Sequence, residues 1–313
     1  LSKVFDAHCD ALLKLWEDRT LRFARGDERL QVSLPEMKRG NVHIQVFDVW
    51  VPTEHKGARA YRSAMEMIKI FHQQVAVPPV TAIYSRGDLE QCVLKEKKGA
   101  ILFIEGGHPL GHDLGNLHEL YRMGVRGIGL TWNIRNQLAD GCLQPSPRGL
   151  TLFGRQVVRE MNRLGMMVDV SHLAEPGFWE VLELSSTPVI ASHSNTRKLC
   201  DHPRNLTDQQ IRALIEKDSV MGLTFVDMFV TSEKRTVWID DLLRHLDHVC
   251  ALGGLDHVAF GSDFDGTVER FGDLSSAGEY QRLVNALLKH FKEDEVKKIM
   301  FENWLRVFQN VLQ

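Results

Sequence analysis

The chain has 313 residues, 43% of them hydrophobic and 25% charged, with a net charge of −3. That is ordinary for a single α/β barrel and enough to bury a large core. Lysine and arginine form no long run, which argues against a nucleic-acid or anionic-membrane partner, and no apolar stretch approaches the roughly 18 residues needed to span a bilayer.

The N-terminus reads directly into a strand, with no basic-then-apolar leader, and no apolar tail follows the last helix, so neither a secretion signal nor a lipid anchor is expected. Five cysteines (Cys9, Cys92, Cys142, Cys200 and Cys250) show no CxxC spacing and fit free thiols in a reducing cytoplasm.

In chain order, apolar strand-like runs fall near 3–8, 42–51, 99–105, 126–132, 166–172, 188–193, 219–226 and 257–263. Amphipathic stretches between them predict helices near 58–75, 114–123, 151–164, 175–184, 207–217, 237–252 and 277–291, and a final helix over about 293–311. Thr207, with Gln210 three positions later, is a capping box, and Gly253-Gly254 stops the helix before the last strand. The strand runs are almost continuously apolar, as strands covered by helices on one side and packed on the other should be. Eight strands separated by helices predict a closed (β/α)8 TIM-type barrel forming one domain over 1–313, with a doubly wound open sheet as the alternative. The segments 17–40 and 133–150 are expected as long loops after the first and fourth strands, on the face where barrel active sites are built.

Metal-ligand side chains sit at these strand ends. His8 and Asp10 are two apart, so an extended backbone points both to one side, with Asp6 one step deeper and Cys9 directed away. Glu105 ends a buried apolar run and precedes Gly106-Gly107; a carboxylate there needs a compensating partner, and it can bridge two ions. His172 and His193 end consecutive strands, whose ends lie about 4.8 Å apart in a parallel sheet. Imidazole with carboxylate suits zinc, manganese or cobalt. Each residue alone has a plainer reading, such as a satisfied core histidine or an acid bonded to loop amides; the matched positions favour a metal centre.

Asp263 ends the eighth strand, where a carboxylate can move a proton between water and a leaving amine; Asp265 faces the same way, but Asp265-Gly266 also reads as a turn. Arg204 can clamp a carboxylate, its plainer reading being a surface ion pair. His245 and His248 read as surface positions on a helix; His108 and His112 are the other histidines kept near the site.

Taken in order, Asp-x-His-x-Asp at 6–10, Ile-Glu-Gly-Gly-His at 104–108, Val-Asp-Val-Ser-His at 168–172, Ala-Ser-His-Ser at 191–194, Arg204-Asn205-Leu206, Phe-Gly-Ser-Asp-Phe-Asp-Gly at 260–266 and Glu302-Asn303-Trp304-Leu305-Arg306 make the chain resemble the renal (membrane) dipeptidase family along nearly its whole length. The resemblance implies a zinc metallopeptidase with one zinc on His8, Asp10 and Glu105. A second zinc is held by Glu105, His172 and His193, and a bridging hydroxide attacks the peptide carbonyl. It implies that Asp263 transfers the proton, alongside the catalytic Glu105, and that Arg204 binds the C-terminal carboxylate of a free dipeptide, often one ending in a D-residue. Dimerisation is common in that family. The chain departs from the pattern at Trp132, which stands where much of the family has a histidine that polarises the scissile carbonyl; Asn133, Arg135 or Asn136 can supply a donor instead, and Asn133 is the expected substrate contact. The alternatives are a related amidohydrolase acting on N-acyl amino acids or other small amides, which typically begins HxH rather than HxD, and a catalytically silent barrel, which would lack ligands that are all present here.

Overall fold

Parallel strands and the helices between them wrap into a closed barrel in the computed structural model, which describes residues 2–267 and 271–313. The strands are β1 (Val4–Asp6), β2 (Val42–Trp50), β3 (Val80–Ala82), β4 (Lys98–Glu105), β5 (Val125–Gly129), β6 (Met167–Asp169), β7 (Ile190–Ala191), β8 (Val220–Leu223) and β9 (Val258–Phe260). The ring closes where β2 pairs with β4, from Ile44 beside Gly99 to Trp50 beside Glu105. β3 adds no stave to the ring; its three residues pair with Lys98–Ala100 at the start of β4. The eight ring strands are the eight read from the sequence, each near its expected place.

Several elements were not expected, among them the short helices Leu34–Arg39 and Asp227–Val230 and three more. β3 is too short to carry a period. The helix Arg86–Leu94, capped by Ser85, turns only Leu89 and Cys92 to the core, so its pattern is weak. The helix Ala11–Glu17 begins directly after Asp10, in the stretch between the first strand and the 17–40 segment. The final helical stretch is also divided, as Glu293–Lys297, a wider turn over Lys298–Glu302, and Asn303–Val311.

Inside the ring, Phe5, Val46, Phe103, Met167 and Ile190 pack with Trp304 and Phe308 of the last helix. Phe308 lies 5.0 Å from Phe5 and 5.9 Å from Phe103, ring to ring. The Trp304 indole N–H donates to the Phe260 carbonyl at 2.9 Å, and the Asn303 amide donates to the Val258 carbonyl at the first residue of β9 at 2.8 Å. The Asn-Trp motif near the C-terminus is thus a plug for the end where the strands begin. That leaves the end where they finish for chemistry.

The 17–40 segment packs outside the ring, with Phe23 against Phe47 of β2, and is fastened to the loop after β9. Asp265 accepts the backbone N–H of Gln31 at 2.8 Å and of Val32 at 2.9 Å, and the Gln31 side chain accepts the Asp265 N–H at 2.6 Å. Ser33 then caps the short helix Leu34–Arg39.

Candidate metal centre

Alternation within the strands delivers polar groups to the open end. On β2, Ile44 and Val46 face the interior, and the same parity carries Asp48 and Trp50 inward above them; on β4, Ile101 and Phe103 are followed by Glu105. His172 and His193 lie just past β6 and β7, and His8 and Asp263 just past β1 and β9. His172 and Asp263 both have left-handed backbones (φ 65° and 63°), uncommon for residues with a side chain and typical of functional turns.

The five expected ligands converge. Glu105 Oε1 is 2.7 Å from His172 Nε2, 3.3 Å from His193 Nε2 and 4.0 Å from His8 Nε2. The two imidazoles past β6 and β7 meet at 2.9 Å, Nε2 to Nε2. His8 Nε2 lies 3.5 Å from Asp10 Oδ2 and 3.6 Å from Asp263 Oδ1, and its ring stacks on His193 at 3.7 Å.

Each imidazole is held through its other nitrogen. His172 Nδ1 bonds Asn133 Oδ1 at 2.7 Å, and His193 Nδ1 bonds the Ser192 hydroxyl at 2.7 Å. The Ser192 hydroxyl in turn donates to the Asp169 carboxylate. His8 Nδ1 faces Asp48 Oδ2 at 3.0 Å. Asp48 escaped sequence reading because it sits inside an apolar run; its parity with Ile44 and Val46 is the signal that finds it. Asp6, one step deeper on β1, accepts the backbone N–H of His8 and the N–H and hydroxyl of Ser262, tying β1 to the loop after β9.

A metal fits these residues on two grounds. His8 Nε2 and Asp10 Oδ1 are buried without a hydrogen-bond partner. The donors are also close enough to share metal: a tetrahedral ion with bonds of about 2.1 Å holds neighbouring ligand atoms roughly 3.4 Å apart, and the ligand atoms of the five residues lie 2.7–4.0 Å from their neighbours, His193 to Glu105 at 3.3 Å and His8 to Asp10 at 3.5 Å matching most nearly. The donor atoms of His8, Glu105 and His193, and those of His8, Asp10 and Asp263, form two groups each within 4.8 Å.

The electrostatics agree. Burial, reinforced by Asp10, pushes Asp263 up to about 8 against the opposing pull of His8, and burial pushes Asp48 up to about 6. Burial, with the carboxylates of Asp10, Asp263 and Asp48, raises Glu105 well above the carboxylate range. Burial and then the Arg204 charge drive His172 well below its ordinary value; burial, His8 and Arg204 do the same to His193. Burial opposes the charge on His8, but Asp48, Glu105 and Asp10 outweigh it and raise it well above 6.5. Crowded acids that resist ionising and neutral imidazoles aimed at them are what a divalent cation relieves.

The remaining expected residues lie around this cluster. Asp263 and Asn133 line the cavity above it, of about 330 Å³. Asp265 does not, being committed to the 17–40 segment. Arg204 is no surface ion pair: it is 2% exposed, donates to Ser194 Oγ at 3.1 Å and the His193 carbonyl at 2.6 Å, and leaves its Nε without a partner. Its guanidinium lies 5.3 Å from the Phe229 ring, which lines the cavity. His245, expected at the surface, is 1% exposed and bonds Thr196 and the Val230 carbonyl. His108 and His112 do not line the cavity.

A parallel barrel carrying clustered histidines and carboxylates at its strand ends defines the class of metal-dependent hydrolases. Within it, the family model for membrane dipeptidase (peptidase family M19) matches residues 1–313. The chain belongs to that family and is a metallopeptidase acting as a dipeptidase. It is 34% identical to a Klebsiella pneumoniae protein described as an uncharacterized protein in the pqqA 5′ region, over 79% of this chain and 97% of that one. Among solved structures it is similar to a metallopeptidase of family M19 described as dipeptidase AC, with 29% identity, a TM-score of 0.93 and 99% of each chain covered. It is also similar to a Rhodobacter sphaeroides metallopeptidase liganded with a phosphinate mimic of the dipeptide L-Ala-D-Ala, with 28% identity, a TM-score of 0.93 and 99% of each chain covered.

Two outcomes follow from this geometry. Asp48→Asn removes the charge behind His8 and should weaken zinc binding about 10–100-fold in competition with a chromogenic chelator; unchanged affinity would remove Asp48 from the centre. The second concerns metal-free protein. Folded, Asp263 keeps its proton to about pH 8 and buried Asp265 to about 7, and His8 is raised above 6.5, so above pH 6.5 the folded chain binds more protons than the unfolded one. Stability should then fall as pH rises from about 7 to 8. The opposing contributions of His172 and His193, and of His43, His108 and His245 (each lowered to about 4 by burial), are mostly gained below that window, where the unfolded histidines lose their protons, and that of Lys98, lowered to about 8, is mostly gained above it. Urea midpoints of chelator-treated protein should drop across it and those of zinc-loaded protein should not; a level metal-free profile would contradict this.

Proposed function

We propose that the chain hydrolyses the peptide bond of free dipeptides using two zinc ions, and that it accepts a D-residue at the C-terminal position. The observation that carries the reading is the Glu105 carboxylate, whose Oε1 lies 2.7, 3.3 and 4.0 Å from imidazoles of three different strand ends. His8, Asp10 and Glu105 would hold one ion, and Glu105, His172 and His193 the other. The ions, when bound, supply an acidified water as nucleophile and a Lewis acid for the scissile carbonyl.

The chain's own groups do the rest. Asp263 lines the cavity with its Oδ1 3.6 Å from His8 Nε2; its carboxyl, raised in the metal-free cluster, would be returned to the ionised form by bound cations and so be placed to accept a proton and release it again. Its carboxylate takes the proton of the attacking water as oxygen adds to the carbonyl carbon. It then gives that proton to the amide nitrogen as the C–N bond breaks, so the product leaves as a neutral amine. Arg204, through its unpartnered Nε, is assigned the substrate carboxylate, and the Asn133 amide the region of the carbonyl. A cavity of about 330 Å³ lies at the lower end of the roughly 300–1,000 Å³ usual for small-ligand sites, which favours a dipeptide over longer peptides. Acceptance of a D-residue draws on the L-Ala-D-Ala mimic bound by the Rhodobacter relative. The five free thiols support a reducing compartment such as the cytoplasm.

Asp263→Asn should keep the zinc content of the wild type and lose at least about 100-fold in kcat on L-Ala-D-Ala and L-Ala-L-Ala. Full turnover in that variant would sink the role assigned to Asp263.

A further inference from the structure

Outside the metal cluster, no charged side chain among the described residues lines the cavity. Apart from Asn133, Gly266 and Thr267, its walls are apolar: Leu13, Trp50, Trp132, Val226, Met228 and Phe229. The two indoles form one unit. Trp50 ends β2 beside Glu105, and Trp132 follows β5; their rings meet edge to face at 5.3 Å and 67°. Trp132 also leans over His172 at 6.0 Å. β2 and β5 flank β4 in the ring, and the segment after β8, which carries Val226, Met228 and Phe229, lies across the ring from β4. The cavity is therefore a slot between an indole wall and an aliphatic-aromatic wall, with the metal cluster as its floor.

Arg204 fixes which way a dipeptide lies in this slot. Its guanidinium is against Phe229, on the β8 side. With the substrate carboxylate directed there, the C-terminal residue takes the Val226–Phe229 side and the N-terminal side chain falls against the indoles. We propose that Trp50 and Trp132 form the subsite for the N-terminal side chain, so that the enzyme selects dipeptides beginning with a bulky apolar or aromatic residue. An ionised side chain would leave water there for a wall that offers no counter-charge. A ring or branched aliphatic chain gains apolar contact and, for a ring, edge-to-face packing on the indoles. Trp132 is then more than the loss of a carbonyl-facing histidine; it turns that position into part of a side-chain pocket. This rests on the dipeptidase reading above.

The test is kcat/KM of the zinc-loaded enzyme on Phe-Ala, Leu-Ala, Ala-Ala, Glu-Ala and Lys-Ala, with the reversed series Ala-Phe to Ala-Lys alongside. Phe-Ala and Leu-Ala should exceed Glu-Ala and Lys-Ala by at least about tenfold. Trp132→Ala, at full zinc content, should cut the ratio of Phe-Ala to Ala-Ala by about tenfold, mainly through KM, and Trp132→Phe should restore most of it. Equal rates across the X-Ala series, selection at the second position only, or a ratio unmoved in Trp132→Ala would overturn the subsite while leaving the dipeptidase reading intact. Failure of the zinc-loaded enzyme to cleave any of these dipeptides would instead overturn that reading.

Discussion

One carboxylate, buried at the end of β4, organises the open end of the barrel. Glu105 is 5% exposed and has imidazole nitrogens around a single oxygen, with further acids close enough to raise its pKa. Such a group is costly to bury unless positive charge meets it. Neighbouring features answer that demand: the histidines of three strand ends converge on it, Asp48 and the Asp169–Ser192 pair hold two of those rings from behind, and Arg204, beside Phe229, has its charge within range of the cluster. Divalent metal satisfies the acids and the imidazoles at once, which is why the same arrangement favours both metal binding and hydrolysis.

The rest of the fold frees this end for that work. Trp304, Phe308 and Asn303 close the opposite end with ring packing and hydrogen bonds to the Val258 and Phe260 carbonyls of β9. The excursion over 17–40 is pinned by Asp265 to the loop that also carries Asp263, so one short segment holds both the residue proposed for proton transfer and the brace of the excursion. Two aspartates of the same sequence motif thus part ways, one lining the cavity and one bonded to backbone, and the division is set by what each reaches.

The ring was legible in the sequence because its strands are buried on both faces and read as nearly unbroken apolar runs. β3 was not, since three residues carry no pattern, and the helix Arg86–Leu94 was not, since it shows the core only two side chains. Residues at strand ends stood out as ligands because polar groups abruptly follow apolar runs at His8, Glu105, His172 and His193. Asp48 stayed hidden for the converse reason: it lies within its run, and its neighbour past the adjacent strand β1, His8, reveals its purpose. Arg204 and His245 read as surface residues by polarity alone, whereas tertiary packing buries both and supplies their hydrogen bonds. The aromatic wall could not be foreseen either. Trp50 and Trp132 are 82 positions apart by residue number, and only ring closure brings β2 and β5 to either side of β4.

The account depends most directly on Glu105 serving both metal positions. Zinc bound per chain, measured by elemental analysis after gel filtration of wild type and Glu105→Gln, tests that dependence. The account predicts about two ions in the wild type and fewer than one in the variant, because loss of a shared carboxylate weakens both positions together. A variant that still carries two ions, or one that loses a single ion and holds the other as tightly as before, would contradict it.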